Sequence, residues 1–147
     1  MDRVFQLDDT PSEALAVYCG DPRFRKAFES FIKEVLGINN YTRIGKAGGV
    51  HAFGGDPSSW DQLRELKEEI RFFIMEGGLK RVILFGHDDC QWYKLHQSGC
   101  QTNSFAEKGK VDLQIAAAAI REENRGVSVC CYYASLNGNE ITFEEVK

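Results

Sequence analysis

Short, wholly apolar runs alternate along this chain with segments of helical periodicity, and that alternation restricts the fold more than any other feature. Ala14–Cys19 (ALAVYC) is long enough for a buried strand and too short for a helix. After Pro22, apolar residues fall at Phe24, Ala27, Phe28, Phe31 and Val35, the spacing of one helix face, and Gly37 follows as a stop. Pro22 suits the first helical turn, where its missing N–H costs nothing. Asn40–Ile44 reads as a further strand leading into a glycine-rich stretch, Gly45–Gly55.

The second half repeats the pattern. Ser58 or Ser59 is placed to cap a helix, with Asp61 or Gln62 three residues on. Leu63, Leu66, Ile70 and Phe73 form its buried stripe, and Gly77-Gly78 ends it. Arg81–His87 (RVILFGH) is a fully buried strand that ends in a turn. Val111–Asn124 is helical and closed by Gly126; Val127–Tyr133 is a strand; Asn137-Gly138 is a hairpin turn returning through Ile141–Glu145. The prediction is an α/β fold. It has a mostly parallel sheet of order about 2-1-3-4, covered by helices, with one antiparallel edge strand from the C-terminal hairpin. Ligands of such sheets sit beyond the carboxyl ends of the strands, where Cys19 and His87 fall if their strands are neighbours.

At 147 residues the chain is expected to form one domain, residues 1–147, with a core large enough to need no staples. Its 18 basic and 22 acidic residues leave a net charge of −4, with no basic stripe to suggest nucleic acid. No apolar run approaches the ~20 residues that span a bilayer, and the N-terminus lacks the pattern of a secretory signal. A cytoplasmic protein with a small or neutral partner is expected. Five cysteines in such a setting do not make a disulfide framework. Cys130 and Cys131, inside VSVCCYY, read as core residues.

His87-Asp88-Asp89-Cys90 is different, because it sets an imidazole and a thiol three residues apart on a tight turn. Thiolate and neutral imidazole suit Zn²⁺, which accepts tetrahedral N/S ligands. With Cys19, from Cys19-Gly20-Asp21-Pro22-Arg23, the set reaches three protein ligands, the number that a catalytic zinc uses. Asp21 is placed to orient a water at the metal, and Arg23 to hold Asp21 ionised and out of the ligand shell. Taken without Cys19, the same pair reads as an exposed ion pair worth about 0–1 kcal/mol. A competing set, His87, Cys90, His96 and Cys100, would make a closed structural zinc knuckle and leave Cys19, Asp21 and Arg23 unexplained. The glycine-rich stretch is no phosphate cradle: it lacks Gly-x-Gly-x-x-Gly, and Lys46 is not followed by Ser or Thr. His51 within it reads as a loop histidine or a pocket residue.

Cys19-Gly20-Asp21-Pro22-Arg23 resembles the Cys-x-Asp-x-Arg motif of the β-class carbonic anhydrases, and Gly86-His87-Asp88-Asp89-Cys90 their Gly-His-x-x-Cys. Ala47-Gly48-Gly49 is similar to part of the glycine-rich segment between those motifs, and Tyr132-Tyr133 through Asn137-Gly138 to the final hairpin. The likeness runs from about Ala14 to Val146. Departures are Gln91, where a glycine is usual, Lys46 in place of asparagine, a longer segment between the motifs, and the lack of the N-terminal helices that wrap a partner subunit. The resemblance implies a short, divergent member of that family, formed as a single carbonic-anhydrase-like domain. The implied ligands of one Zn²⁺ per chain are Cys19, His87 and Cys90, with Asp21 and Arg23 as catalytic residues. The implied reaction is reversible hydration of CO₂ to bicarbonate, a lyase activity, in a homodimer or higher homo-oligomer. Three alternatives stay open: a linear CO₂ analogue such as CS₂ or COS as substrate, a zinc-binding scaffold without hydratase activity, and a closed state in which Arg23 releases Asp21 to the metal.

Overall fold

The computed structural model describes residues 2–96 and 104–147. Among them, β1 (Leu15–Tyr18), β2 (Thr42–Gly45), β3 (Arg81–His87), β4 (Ser128–Asn137) and β5 (Glu140–Val146) form one sheet in the order β2-β1-β3-β4-β5. The first four strands run parallel, and β5 returns antiparallel to β4 through Asn137-Gly138, with Gly138 at a φ of 61°. This is the predicted sheet order and edge strand.

The sheet is apolar on both faces because its central strands carry apolar residues at successive positions. Leu15, Val17, Val82, Leu84, Val129, Cys131 and Tyr133 point to one side, where α2 (Trp60–Gly77) and α4 (Phe105–Glu123) cover them with Leu66, Ile70, Leu113 and Ile120. Ala16, Tyr18, Ile83 and Phe85 point to the other, against Phe24, Phe28 and Ile32 from α1 (Pro22–Ser30) and its continuation. Cys131 lies in the core as expected, whereas Cys130, on the opposite pleat, is only half-buried.

Three local expectations are corrected. Val35 is exposed, and Ile32 takes its place in the core. The helix widens into a π turn over Phe31–Val35, with Leu36 N–H donating to Phe31 C=O five residues back, so the 3.6-residue phase is lost. Neither Ser58 nor Ser59 caps α2 by its side chain: Asp56 instead accepts from Ser58 N–H at 3.0 Å and caps a short 3₁₀ turn, Pro57–Ser59, that feeds the helix. Finally, α4 begins at Phe105 rather than Val111, with the Ser104 hydroxyl accepting from Glu107 N–H at 3.2 Å. Gly109, which discourages a helix reading there, is needed where it is, because a Cβ would stand 3.0 Å from the Tyr133 ring.

Tyr133 sets a similar limit at the end of β3. A Cβ on Gly86 would lie 2.9 Å from Tyr133 Cδ2 and 3.3 Å from Leu113 Cδ1. Gly86→Ala is therefore expected to destabilise the protein by about 1–3 kcal/mol, as other overpacked cores are, measured by urea denaturation against the parent chain.

Candidate metal centre

Parallel pairing of β1 with β3 brings their carboxyl ends side by side. Cys19 follows β1 directly, His87 is the last residue of β3, and Cys90 caps α3 (Gln91–Leu95). The turn between His87 and Cys90 passes through Asp89 at a φ of 54°, a left-handed conformation uncommon outside glycine. Its carboxylate is held by Lys94 and, at 2.8 Å, by Arg23 Nη1, while Arg23 Nη2 donates to the Asp89 carbonyl at 3.0 Å. These bonds fix the turn.

Cys19, His87 and Cys90 are all buried, with one ligand atom from each lying within 4.8 Å of the others. The two sulfurs are 3.9 Å apart. The His87 Nδ1–H donates to the Asp88 carbonyl at 2.7 Å, leaving Nε2 as the ring's lone-pair nitrogen, and Nε2 is buried with no hydrogen-bond partner. A buried nitrogen in that state is available to ligate a metal. Two sulfurs and one such nitrogen form a set that could bind a metal, and their softness fits zinc.

The sulfurs differ in character. Above all the hydrogen bond from the Cys90 thiol pulls Cys19 well below the usual thiol range; backbone N–H groups of Gly48 and Asp21 add to it. Donating that proton, together with burial, pushes Cys90 up. Gly48 N–H reaches Cys19 Sγ at 3.4 Å. Gly48 has a φ of 74°, and a Cβ there would meet Trp92 Cδ1 at 2.4 Å. Glycine is required at this spot.

Asp21 caps α1 and has both carboxylate oxygens engaged by Arg23, with contacts of 2.7–3.2 Å. Hydrogen bonds from Arg23 hold its carboxyl below the ordinary range. So engaged, Asp21 stands outside the ligand group but lines the same cavity as Cys19 and Cys90, of about 590 Å³. Pro22, Ala47 and Trp92 give that cavity its apolar wall.

The alternative knuckle does not assemble from the described residues. His96 packs against Trp92 with the rings tilted and their centroids 4.1 Å apart, and lies outside the Cys19–His87–Cys90 group; Cys100 falls outside the described residues. His51 does not line the cavity: it is buried edge-on against Tyr93 at 4.7 Å, and burial lowers its pKa.

No family model matches the chain, and comparison with curated proteins by sequence finds no relative. Solved structures do match. One of two tetrameric β-carbonic anhydrases from Sordaria macrospora superposes with a TM-score of 0.56 at 11% identity, over 90% of this chain and 80% of that one. A carbonic anhydrase from Streptococcus mutans gives 0.54 at 14% identity, over 99% and 88%. One from Glaciozyma antarctica gives 0.51 at 17%, over 94% and 85%.

The fold is that of the β-carbonic anhydrases.

Within this β-carbonic anhydrase fold, the sequence motifs identified the two strand ends but not what surrounds them. Asp89, as a second carboxylate on Arg23, was visible in the His-Asp-Asp-Cys turn without any signal of its partner. Asp88 was equally hidden: its carboxylate accepts from the Tyr133 hydroxyl at 3.0 Å and from Leu136 N–H at 2.8 Å, tying the metal turn to β4. Trp92 carries no spacing that marks a cavity wall.

Gly48→Ala is expected to force Trp92 off the Cys19 loop. The purified variant should lose about 1–3 kcal/mol of stability and show a changed tryptophan emission spectrum, whereas Gly20→Ala, whose Cβ meets nothing within 4 Å, should show neither.

Proposed function

We propose that this chain holds one zinc ion through Cys19, His87 and Cys90 and catalyses the reversible hydration of CO₂ to bicarbonate. The observation that carries this reading is the buried, partnerless His87 Nε2 beside the sulfurs of Cys19 and Cys90, two residues that line one cavity with the Asp21–Arg23 pair. A bound zinc supplies Lewis acidity, which makes a water acidic enough to yield a nucleophile near neutral pH.

The chain's own side chains do the rest. Arg23, itself balanced by Asp21 and Asp89, keeps the Asp21 carboxylate anionic and away from the ligand set. Asp21 is then free to accept a hydrogen bond from a water in the cavity and turn the water's lone pair towards the substrate carbon. Pro22, Ala47 and Trp92 offer the apolar surface that a linear molecule without a dipole prefers to water. Gly48 N–H stabilises negative charge on the Cys19 sulfur. A homo-oligomer belongs to the same reading. It is supported by the tetrameric Sordaria proteins of this fold and by Val4, Phe5 and Leu7, which stand exposed on the N-terminal segment.

Mass-spectrometric metal analysis and stopped-flow CO₂ hydration test the proposal together. Wild-type protein should carry one zinc per chain and hydrate CO₂. Cys19→Ser should lose both properties, and Cys131→Ser neither. Asp21→Asn should retain zinc while the hydration rate falls ~10²–10⁴-fold, the range for losing a positioned proton acceptor. Zinc retained by Cys19→Ser would refute the ligand set. Zinc without hydration would refute the reaction, and turnover of CS₂ or COS in its place would identify the substrate.

A further inference from the structure

We infer that Asp112 and Tyr93 form a positioning pair that fixes the Cys90 sulfur from behind, so that metal affinity depends on a hydrogen bond between two side chains outside the ligand set. The inference rests on the zinc reading above and adds to it the means by which one ligand is aimed.

Asp112 lies on α4 and is 1% exposed. A carboxylate so placed is costly unless it is paired and hydrogen-bonded. Its Oδ2 accepts from the Tyr93 hydroxyl at 2.8 Å, and Lys108 Nζ, one turn earlier on the same helix, donates to both oxygens at 3.0 and 3.1 Å. The loop before α2 also makes room for the pair: a Cβ on Gly54 would come within 2.7 Å of Asp112 Oδ1 and 2.8 Å of Lys108 Nζ. Three segments of the chain therefore converge on one buried carboxylate. An apolar cluster of the same volume would serve stability at least as well, so a role beyond stability is the economical explanation.

Tyr93 supplies that role. It stands three residues after Cys90, and its ring packs with the Cys19 and Cys90 side chains. Its backbone N–H and that of Trp92 both favour charge on the Cys90 sulfur. The helix that carries these groups, α3, has five residues, too few to hold its geometry unaided. The Tyr93 hydroxyl anchors it to α4 at Asp112, and the Tyr93 side chain is held against Cys90 as a result. Groups that support a metal ligand in this way typically change affinity by about 10–100-fold when removed.

Zinc affinity measured by chelator competition, with the absorption spectrum of the cobalt-substituted protein, tests the pair. Tyr93→Phe removes one oxygen and leaves Asp112 bonded to Lys108. It should weaken zinc about 10–100-fold and shift the thiolate-to-cobalt charge-transfer band. Asp112→Ala should do the same, and the double variant should be no weaker than either single one, since both break one bond. Asp112→Asn still accepts from the Tyr93 hydroxyl and should recover most of the affinity. A merely structural role would lower the thermal midpoint of metal-free protein while leaving affinity and cobalt spectrum unchanged. That result in folded Tyr93→Phe would overturn the inference and leave the zinc reading intact. Wild-type protein that takes up neither zinc nor cobalt would overturn both.

Discussion

Parallel pairing between β1 and β3 is what sets two cysteines 71 residues apart in sequence within 3.9 Å of each other. Neither sulfur has a local reason to be where it is. Cys19 follows a four-residue strand with no exposed face, and Cys90 precedes a helix too short to stand alone. The sheet register brings one to the other, and the apolar layers on both faces hold that register, because a slip by one residue would exchange the side chains meant for α1 with those meant for α2 and α4.

Around that pair, charge is arranged in two zones. Beside the cavity, Lys94, Asp89, Arg23 and Asp21 alternate in sign along a chain of contacts. Each carboxylate there is partly exposed, so the chain acts mainly to orient groups and contributes little to stability. Behind the sulfurs, Asp112 and Lys108 form a second couple that is almost fully enclosed at the carboxylate. Between the zones lie apolar or aromatic groups: Trp92, Tyr93 and the edge of His51. The centre is thus screened from water on the side facing α4 and reachable on the side facing α1.

Much of this was legible in the sequence because period and punctuation coincide. The run Val82–Phe85, the stripe Leu66–Ile70 and the Asn137-Gly138 turn each state their structure locally, and a mostly parallel sheet with one antiparallel edge followed from their alternation. The two metal-type motifs were legible because their residue chemistry is unusual at strand ends. What stayed hidden depends on contacts between distant elements. Val35 looked like core until a π turn rotated it outwards. The first turns of α4 were not read as helix, and the ring that faces its Gly109, Tyr133, lies on another strand. Asp112 sits within an ordinary amphipathic pattern, and nothing in its neighbours announces that a tyrosine 19 residues earlier reaches it.

Tyr133 joins the two scales. Its ring lies against Gly86 and Gly109, and its hydroxyl bonds to Asp88, whose carbonyl in turn fixes the tautomer of His87. Two backbones thus approach one aromatic ring so closely that a Cβ at either α-carbon would crowd it. A narrower residue at 133 would relieve the crowding at both glycines at once, and would also take away the hydroxyl that holds Asp88 beside His87.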